Sequence, residues 1–317
     1  AFDFYDRGLA LVEKSDSKFG MESMLKLIGD AHLRLGAYAR AVSYYKSALQ
    51  ICEQKNFFAD QAYMLNHIGD AYAALGDRVN AVASYKDALE RMKGNTIGEA
   101  ILLGNRGLFY MRAGDGENAR KDLDEALAKS REAKNDVLTA VTLNNLGLLE
   151  SALGEYTAAA REFAAALELT DKTGDKQQWA VTMINSGFLN NSLGENDKAL
   201  ESYRKALAEM ERLNNERGQA FVLNNIGLSE ALKGDKAKAQ QFYERAGLLD
   251  KSFEEVGLNN RGTLLLQARD GAKAIGEYTK ALELSRASGN RTAEAITLQN
   301  LGAAYHSLRD ERKAIGM

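Results

Sequence analysis

The sequence predicts an all-α chain: a solenoid of antiparallel helix pairs, about eight repeats long. Three observations predict it. A glycine recurs at Gly29, Gly69, Gly107, Gly147, Gly187, Gly227, Gly262 and Gly302, at steps of forty, thirty-eight or thirty-five residues. Each glycine sits in a near-copy of one phrase, as in Leu65-Asn-His-Ile-Gly69 and Leu143-Asn-Asn-Leu-Gly147. Between the phrases, apolar residues fall at helical spacing on two successive segments, and Gly, Asn or Asp interrupts them. A fixed period of this size means that stacked copies of one small unit share a continuous core.

Taken in order, residues 4–11 align with residues 44–51, Tyr5 with Tyr45, Leu9 with Leu49 and Leu11 with Ile51. Residues 1–19 therefore read as the second helix of a repeat whose first helix is missing. Repeats follow over 20–59, 60–97, 98–137, 138–177, 178–217, 218–250 and 251–291, with a truncated one over 292–317. The last segment, Lys313-Ala-Ile-Gly-Met317, aligns with Lys273-Ala-Ile-Gly-Glu277 and reads as the first turn of a second helix. Solenoids need polar capping units, and neither end reads as one. The expectation is a single solenoid that is a fragment of a longer chain, with self-association through uncapped ends as a further possibility.

The repeat over 138–177 shows the unit. Ala140, Leu143, Leu146 and Leu149 share one face of a first helix. Gly154-Glu155 breaks it, and Ala159, Phe163, Ala166, Leu167 and Leu169 form the apolar face of a second. Thr173-Gly174-Asp175 ends that helix, with glycine suited to a left-handed cap.

Small residues recur where helices must approach. The phrase glycines lie mid-helix, where glycine costs about 1 kcal/mol against alanine. Ala41, Ala81, Ala119, Ala159, Ala199, Ala239, Ala274 and Ala314 open the second helices. Alanines stand seven residues later, from Ala48 to Ala281, and an aromatic usually lies between: Tyr45, Tyr85, Phe163, Tyr203, Tyr243 or Tyr278. Two links are short, and each carries a capping-box pattern, Thr96-Ile-Gly-Glu99 and Ser252-Phe-Glu-Glu255.

Composition bounds function. The 317 residues are 45% hydrophobic and 27% charged, as in a folded, water-soluble chain, and contain no proline. A net charge of −3 gives no reason to expect a nucleic-acid partner. No apolar run is long enough to cross a bilayer, and no secretory leader is read, so neither a membrane nor export is expected. The single cysteine, Cys52, rules out an internal disulfide framework and fits a reducing, cytoplasmic location.

Leu143, Gly147, Ala159, Phe163 and Ala166 match the spacing of the tetratricopeptide-repeat signature, and the match extends over nearly the whole chain. The forty-residue period resembles the variant in Pins-like spindle adaptors, kinesin light chains and bacterial signalling proteins, including the arms of CHAT proteases. The resemblance implies a right-handed superhelix whose first helices line a concave groove. It implies a protein-interaction scaffold that binds an extended peptide or partner segment. The open ends motivate an alternative expectation, a regulatory or sensor arm of a larger bacterial signalling protein or protease that packs on an effector domain. The chain departs from the pattern where the tyrosine three residues after the glycine becomes Glu150, Asn190 or Glu230. It departs again where the turn glycine becomes Arg269 or Arg309.

Within such a groove, asparagine stands two residues before the glycine in six consecutive repeats: Asn105, Asn145, Asn185, Asn225, Asn260 and Asn300. An amide both donates and accepts, so a ladder of amides can hold an extended backbone with little regard to its sequence. The same asparagines can instead bond a neighbouring repeat. Asn66, Asn144, Asn224 and Asn259 form a partial second row. Flanking stripes run through Ile101, Val141, Val181 and Phe221, and through Leu108, Leu148, Phe188 and Leu228. They line the groove, or the long helices bury them. Asp30 and Asp70 make the early groove acidic, which suits a peptide with apolar anchors and a basic end.

Catalytic and metal sites are not expected, nor is a cofactor. His32, His67 and His306 lack metal-ligand spacing. Gly104-Asn-Arg-Gly107 lies within a helix pattern and lacks the Lys-Ser/Thr of a phosphate loop. Cys52 has no base visible in the sequence. Arg106 and Arg261 replace apolar residues and are expected to lay their stems on the core with their heads in water.

Overall fold

The computed structural model describes residues 7–9, 11, 18–288, 290–308 and 313, without the side chains of Lys18 and Phe19. The expectations for the leading helix at Tyr5, for Arg309 and for Ala314 lie outside these residues. Leu9 and Leu11 are helical.

The described residues form helices joined by short turns, and no strand occurs among them. In chain order they are α1 (Lys18–Arg34), α2 (Tyr38–Lys55), α3 (Phe58–Ala74), α4 (Arg78–Met92), α5 (Thr96–Arg112), α6 (Gly116–Glu132), α7 (Asp136–Ala152) and α8 (Tyr156–Thr173). Then come α9 (Lys176–Ser192), α10 (Asn196–Arg212), α11 (Glu216–Leu232), α12 (Lys236–Leu249), a 3-10 turn (Lys251–Phe253), α13 (Glu254–Gln267), α14 (Gly271–Ser288) and α15 (Arg291–Ser307). The chain divides into two compact units, Ala1–Glu162 and Phe163–Met317.

Within each unit an odd-numbered helix packs on the even-numbered helix after it, as α3 does on α4 and α9 on α10. The phrase glycine makes this possible. A Cβ at Gly69 would stand 2.8 Å from Tyr85 Cε1, and one at Gly187 would stand 2.5 Å from the same atom of Tyr203. Gly29, Gly227 and Gly262 meet Tyr45, Tyr243 and Tyr278 in the same way. Gly107 meets Leu123 instead. The large residue of the second helix thus fills a notch that only glycine leaves open. Tyr45, Tyr85, Tyr203 and Tyr278 are fully buried. Each of their hydroxyls finds a polar group on the first helix: Asp30 Oδ1 at 2.7 Å for Tyr45, Asp70 Oδ1 at 2.7 Å for Tyr85, Thr263 Oγ1 at 3.1 Å for Tyr278 and Asn191 Nδ2 at 3.5 Å for Tyr203. A buried hydroxyl needs such a partner.

With proline absent, caps set the helix ends. Asp77, Asp115, Asp175 and Asp235, with Asn95, Asn135, Asn215 and Asn290, accept the backbone N–H three residues on. Gly36, Gly76, Gly114, Gly154, Gly194 and Gly234 turn the chain at positive φ. Arg269 takes over that role at φ 61°.

Both expected capping boxes are corrected. At the first, the cap is Asn95, one residue earlier than Thr96: Asn95 Oδ1 accepts the Gly98 N–H at 3.0 Å. Glu99 reaches back to the Gly94 N–H at 2.8 Å. Asparagine, with a carbonyl oxygen close to the backbone, outcompetes threonine for that place. At the second, Asp250 accepts the Ser252 N–H at 2.8 Å and opens the 3-10 turn, while α13 starts after Phe253 with no side-chain cap.

Arg106 and Arg261 are corrected as well. Arg106 Nε and Nη2 donate to the two oxygens of buried Asp122 at 2.6 and 2.7 Å. Arg261 Nε donates to Glu277 Oε2 at 2.8 Å. Each head meets a carboxylate on the following helix, and at Arg106 the guanidinium holds both oxygens of the buried acid in a two-pronged bond.

Candidate functional site

In the first unit, α1 to α5 border an open cavity of about 650 Å³. Its polar lining is Tyr38, Asp70, Arg78, Tyr85, Asn105 and Arg112, set among Leu33, Leu108 and Phe109. Helix geometry explains the set on α5. Asn105, Leu108 and Arg112 are spaced by three and four residues and so share a face.

One chain of hydrogen bonds crosses this site. Asn105 Nδ2 donates to Asn66 Oδ1 at 3.1 Å, and Asn66 Nδ2 donates to Asp70 Oδ2 at 3.2 Å. Tyr85 donates to the other carboxylate oxygen. Burial pushes the Asp70 carboxyl above its ordinary range, against the pull of Tyr85, His67 and Arg112. Burial lowers the His67 imidazole, whose ring stacks on Tyr45 at 5.2 Å. Arg78 donates to the Ala113 carbonyl at 3.2 Å, which fixes its head at the rim. The cavity thus offers one acid, two guanidinium groups, a tyrosine pair and one amide oxygen. Arg78, Arg112 and Tyr38 were absent from the residues read from the sequence. Arg112 was within reach, since it lies seven residues after Asn105 on the same face.

The asparagines divide by role. Asn105 joins Asp70 in the cavity. Asn145 is half-buried, with Oδ1 3.5 Å from the amide nitrogen of buried Asn144. Asn260 donates to Asn224 Oδ1 at 2.9 Å, and Asn300 donates to Asn259 Oδ1 at 3.2 Å. Three times, therefore, an amide of one repeat clasps an amide of the repeat before it. The clasp uses the N–H₂ group, and Oδ1 of Asn105, Asn260 and Asn300 accepts no hydrogen bond among the described residues. Asn185 is half-buried. Asn225 is 3% exposed and donates to the Phe221 carbonyl of its own helix at 2.9 Å, so it does not face the groove surface.

Phe188 in the second unit is half-buried, edge-on to Tyr203 at 6.0 Å and tilted to Phe221 at 6.2 Å. Phe221 is 39% exposed and Leu228 38% exposed, whereas Ile101, Val141 and Val181 are half-buried. Each acid at the tyrosine-replacing position pairs with a basic residue of the preceding repeat: Glu150 with Arg120 at 2.6 Å, and Glu230 with Arg204 at 3.8 Å. Cys52 is buried, and burial raises its thiol pKa to about 11. At neutral pH it holds its proton and is a poor nucleophile. Among the described residues no group of three His, Cys, Asp or Glu is placed to hold a metal ion, and no helix is long and apolar enough to cross a membrane.

A model of the tetratricopeptide repeat matches residues 20–94, 98–172, 180–246 and 254–317. Comparison with curated proteins finds no match. Among solved structures, the chain is similar to BtubC (BKLC) from P. vanneervenii, at 20% identity and a TM-score of 0.56 over 69% of this chain and 90% of that one. It is similar to a Rap protein in complex with Competence and Sporulation Factor, at 17% identity and a TM-score of 0.57 over 94% and 81%. It is also similar to PH0952 from Pyrococcus horikoshii, a STAND protein with a tetratricopeptide repeat sensor, at 15% identity and a TM-score of 0.63. That match covers 99% of this chain and 51% of the STAND protein. The repeat model, matched along most of the chain, and the glycine-and-aromatic helix pairs agree: the chain belongs to the tetratricopeptide-repeat family.

Proposed function

We propose that the chain is a non-enzymatic protein-interaction scaffold that holds an extended peptide or partner segment in the cavity of the first unit. The observation that carries this reading is the bond chain from Asn105 through Asn66 to Asp70, set beside Arg112 in a cavity of about 650 Å³. That volume falls in the range of small binding pockets. The amide oxygen accepts a backbone N–H, Arg112 takes a carbonyl or carboxylate, and Leu108 and Phe109 accommodate an apolar side chain. Asn145 is the further contact proposed in the first unit; Asn185, Asn260 and Asn300 are proposed as amide contacts of the second unit by itself. Each clasped asparagine contributes its oxygen. The expected ligand therefore presents donors to the ladder and carries an acceptor for Arg112. Tyr45 and Tyr85 each take one oxygen of Asp30 and Asp70, respectively, which makes these acids weaker anchors for a basic end.

The test is selection of peptides from a random display library on the full chain, then titration of the recovered peptides. In Asn105→Ala/Arg112→Ala the affinity falls about tenfold or more, as expected for a lost charged hydrogen bond. The melting curve of the variant is its folding control. Undiminished affinity in a folded variant sinks the proposal.

The likeness to a STAND protein described as having a repeat sensor favours a second reading, in which the cavity receives a segment of an effector domain in the same parent chain. Under it, the double variant releases the effector, and no selected peptide competes better than that segment.

A further inference from the structure

The second unit holds another cavity of about 650 Å³, between α12, α13 and α14. Its rim carries Lys236, Arg261, Lys273 and Lys280 against one carboxylate, Glu277. Leu264, Leu265 and Ala268 form an apolar floor. Asn260, the ladder residue of α13, does not line it.

The charge is unbalanced. Arg261 stands between two carboxylates, Glu277 Oε2 at 2.8 Å and Glu244 Oε1 at 3.7 Å, and Lys280 Nζ stays 3.7 Å from Glu277 Oε1. Lys273 pairs with Asp270 at 2.9 Å, the residue that caps its own helix. Lys236 makes no ion pair among the described residues. Two exposed ammonium groups, at Lys236 and Lys280, are thus left with weak or no internal partners over a shared groove.

The floor opens at Gly276. This glycine is mid-helix, where it weakens the helix, and a Cβ there would meet nothing within 4 Å. The phrase glycines have a tyrosine or leucine to receive, but Gly276 receives nothing. The same position in the six earlier repeats carries Ser43, Ala83, Lys121, Arg161, Glu201 and Gln241. In this repeat the missing side chain leaves a trough between the lysines.

We propose that this groove binds an acidic peptide segment, with one apolar side chain on the leucine floor and flanking carboxylates on Lys236 and Lys280. It is a second site, independent of the cavity in the first unit. An inorganic anion would leave the apolar floor and most of the volume empty. A long nucleic acid would meet a chain of net charge −3, whereas a short segment feels the local cations.

A random heptapeptide library displayed on phage and panned on the full chain tests it, with the recovered peptides measured by fluorescence polarisation. Peptides of this site carry Asp or Glu on both sides of one apolar residue and bind more weakly as salt rises. Gly276→Met, which fills the trough with a good helix former, weakens them at least tenfold while the melting temperature holds or rises. Lys236→Glu/Lys280→Glu, at exposed positions, does the same and flattens the salt dependence. Asn105→Ala/Arg112→Ala leaves them unchanged. Absence of acidic enrichment, or unchanged affinity in Gly276→Met, overturns the proposal. Equal competition by single-stranded oligonucleotide overturns it in favour of a nucleic-acid site.

Discussion

Two glycines in helices of the second unit predict opposite outcomes for one substitution. A Cβ on Gly227 would stand 2.6 Å from Tyr243 Cε1 and 3.1 Å from the Ala239 carbonyl oxygen. The ring is buried and the carbonyl belongs to a helix, so neither yields cheaply. Gly227→Ala is expected to destabilise the protein by about 1–3 kcal/mol, the usual cost of overpacking. Gly276→Ala meets open space and is expected to stabilise it by about 1 kcal/mol through helix propensity alone. Chemical denaturation of the two variants, with matched slopes, checks the pair of signs. The first sign was legible in the sequence, because Gly227 recurs in register with Tyr243 sixteen residues on. The second was not, since a lone glycine in a helix pattern says nothing about the space beside it. Asn225 shows the same limit. It shares its repeat position with Asn105 and Asn260, yet its amide turns back to Phe221 on its own helix, and position in the repeat does not specify a rotamer.

At the scale of the element, period and apolar face marked the helices well, while their starts depended on which small polar residue wins the cap. Asn95 and Thr96 are adjacent and both are N-cap residues, so only the bond to the Gly98 N–H separates them. The link before α13 was harder still, because Asp250 opens a 3-10 turn that no spacing rule distinguishes from a longer α-helix. The turn between α13 and α14 carries its own prediction. Arg269 adopts φ 61° where the turns of earlier repeats have glycine, and a Cβ is strained in that region. Arg269→Gly is expected to raise stability by about 1 kcal/mol, less what the more flexible unfolded chain takes back. A differential scanning comparison with the parent, which should melt lower, measures the balance.

At the scale of the whole molecule, the helix pairs within each unit touch their sequence neighbours, so strain in one repeat should stay near it. Hydrogen exchange followed by mass spectrometry on Gly227→Ala is expected to quicken in α10 to α13 and to leave α1 to α4 at parent rates. Uniform quickening would contradict the nearest-neighbour account. The fold was readable at this scale because its information is redundant: one phrase is stated again in each repeat. The candidate site was less readable because it depends on differences among copies. Arg78 and Arg112 are unremarkable as single positions and gain meaning only beside Asn105 and Asp70 in one cavity.

The distance along the chain between each phrase glycine and the residue that fills its notch has a further consequence. From Gly29 and Tyr45 to Gly262 and Tyr278 it is always sixteen residues, so the notch and its filler fall inside a single repeat. A copying slip in a gene that adds or removes one whole repeat therefore carries both halves of the pair together. The array can lengthen or shorten by recombination without a mismatched glycine, and it is the contacts between repeats, such as the asparagine clasps and the Arg120–Glu150 and Arg204–Glu230 pairs, that have to find new partners.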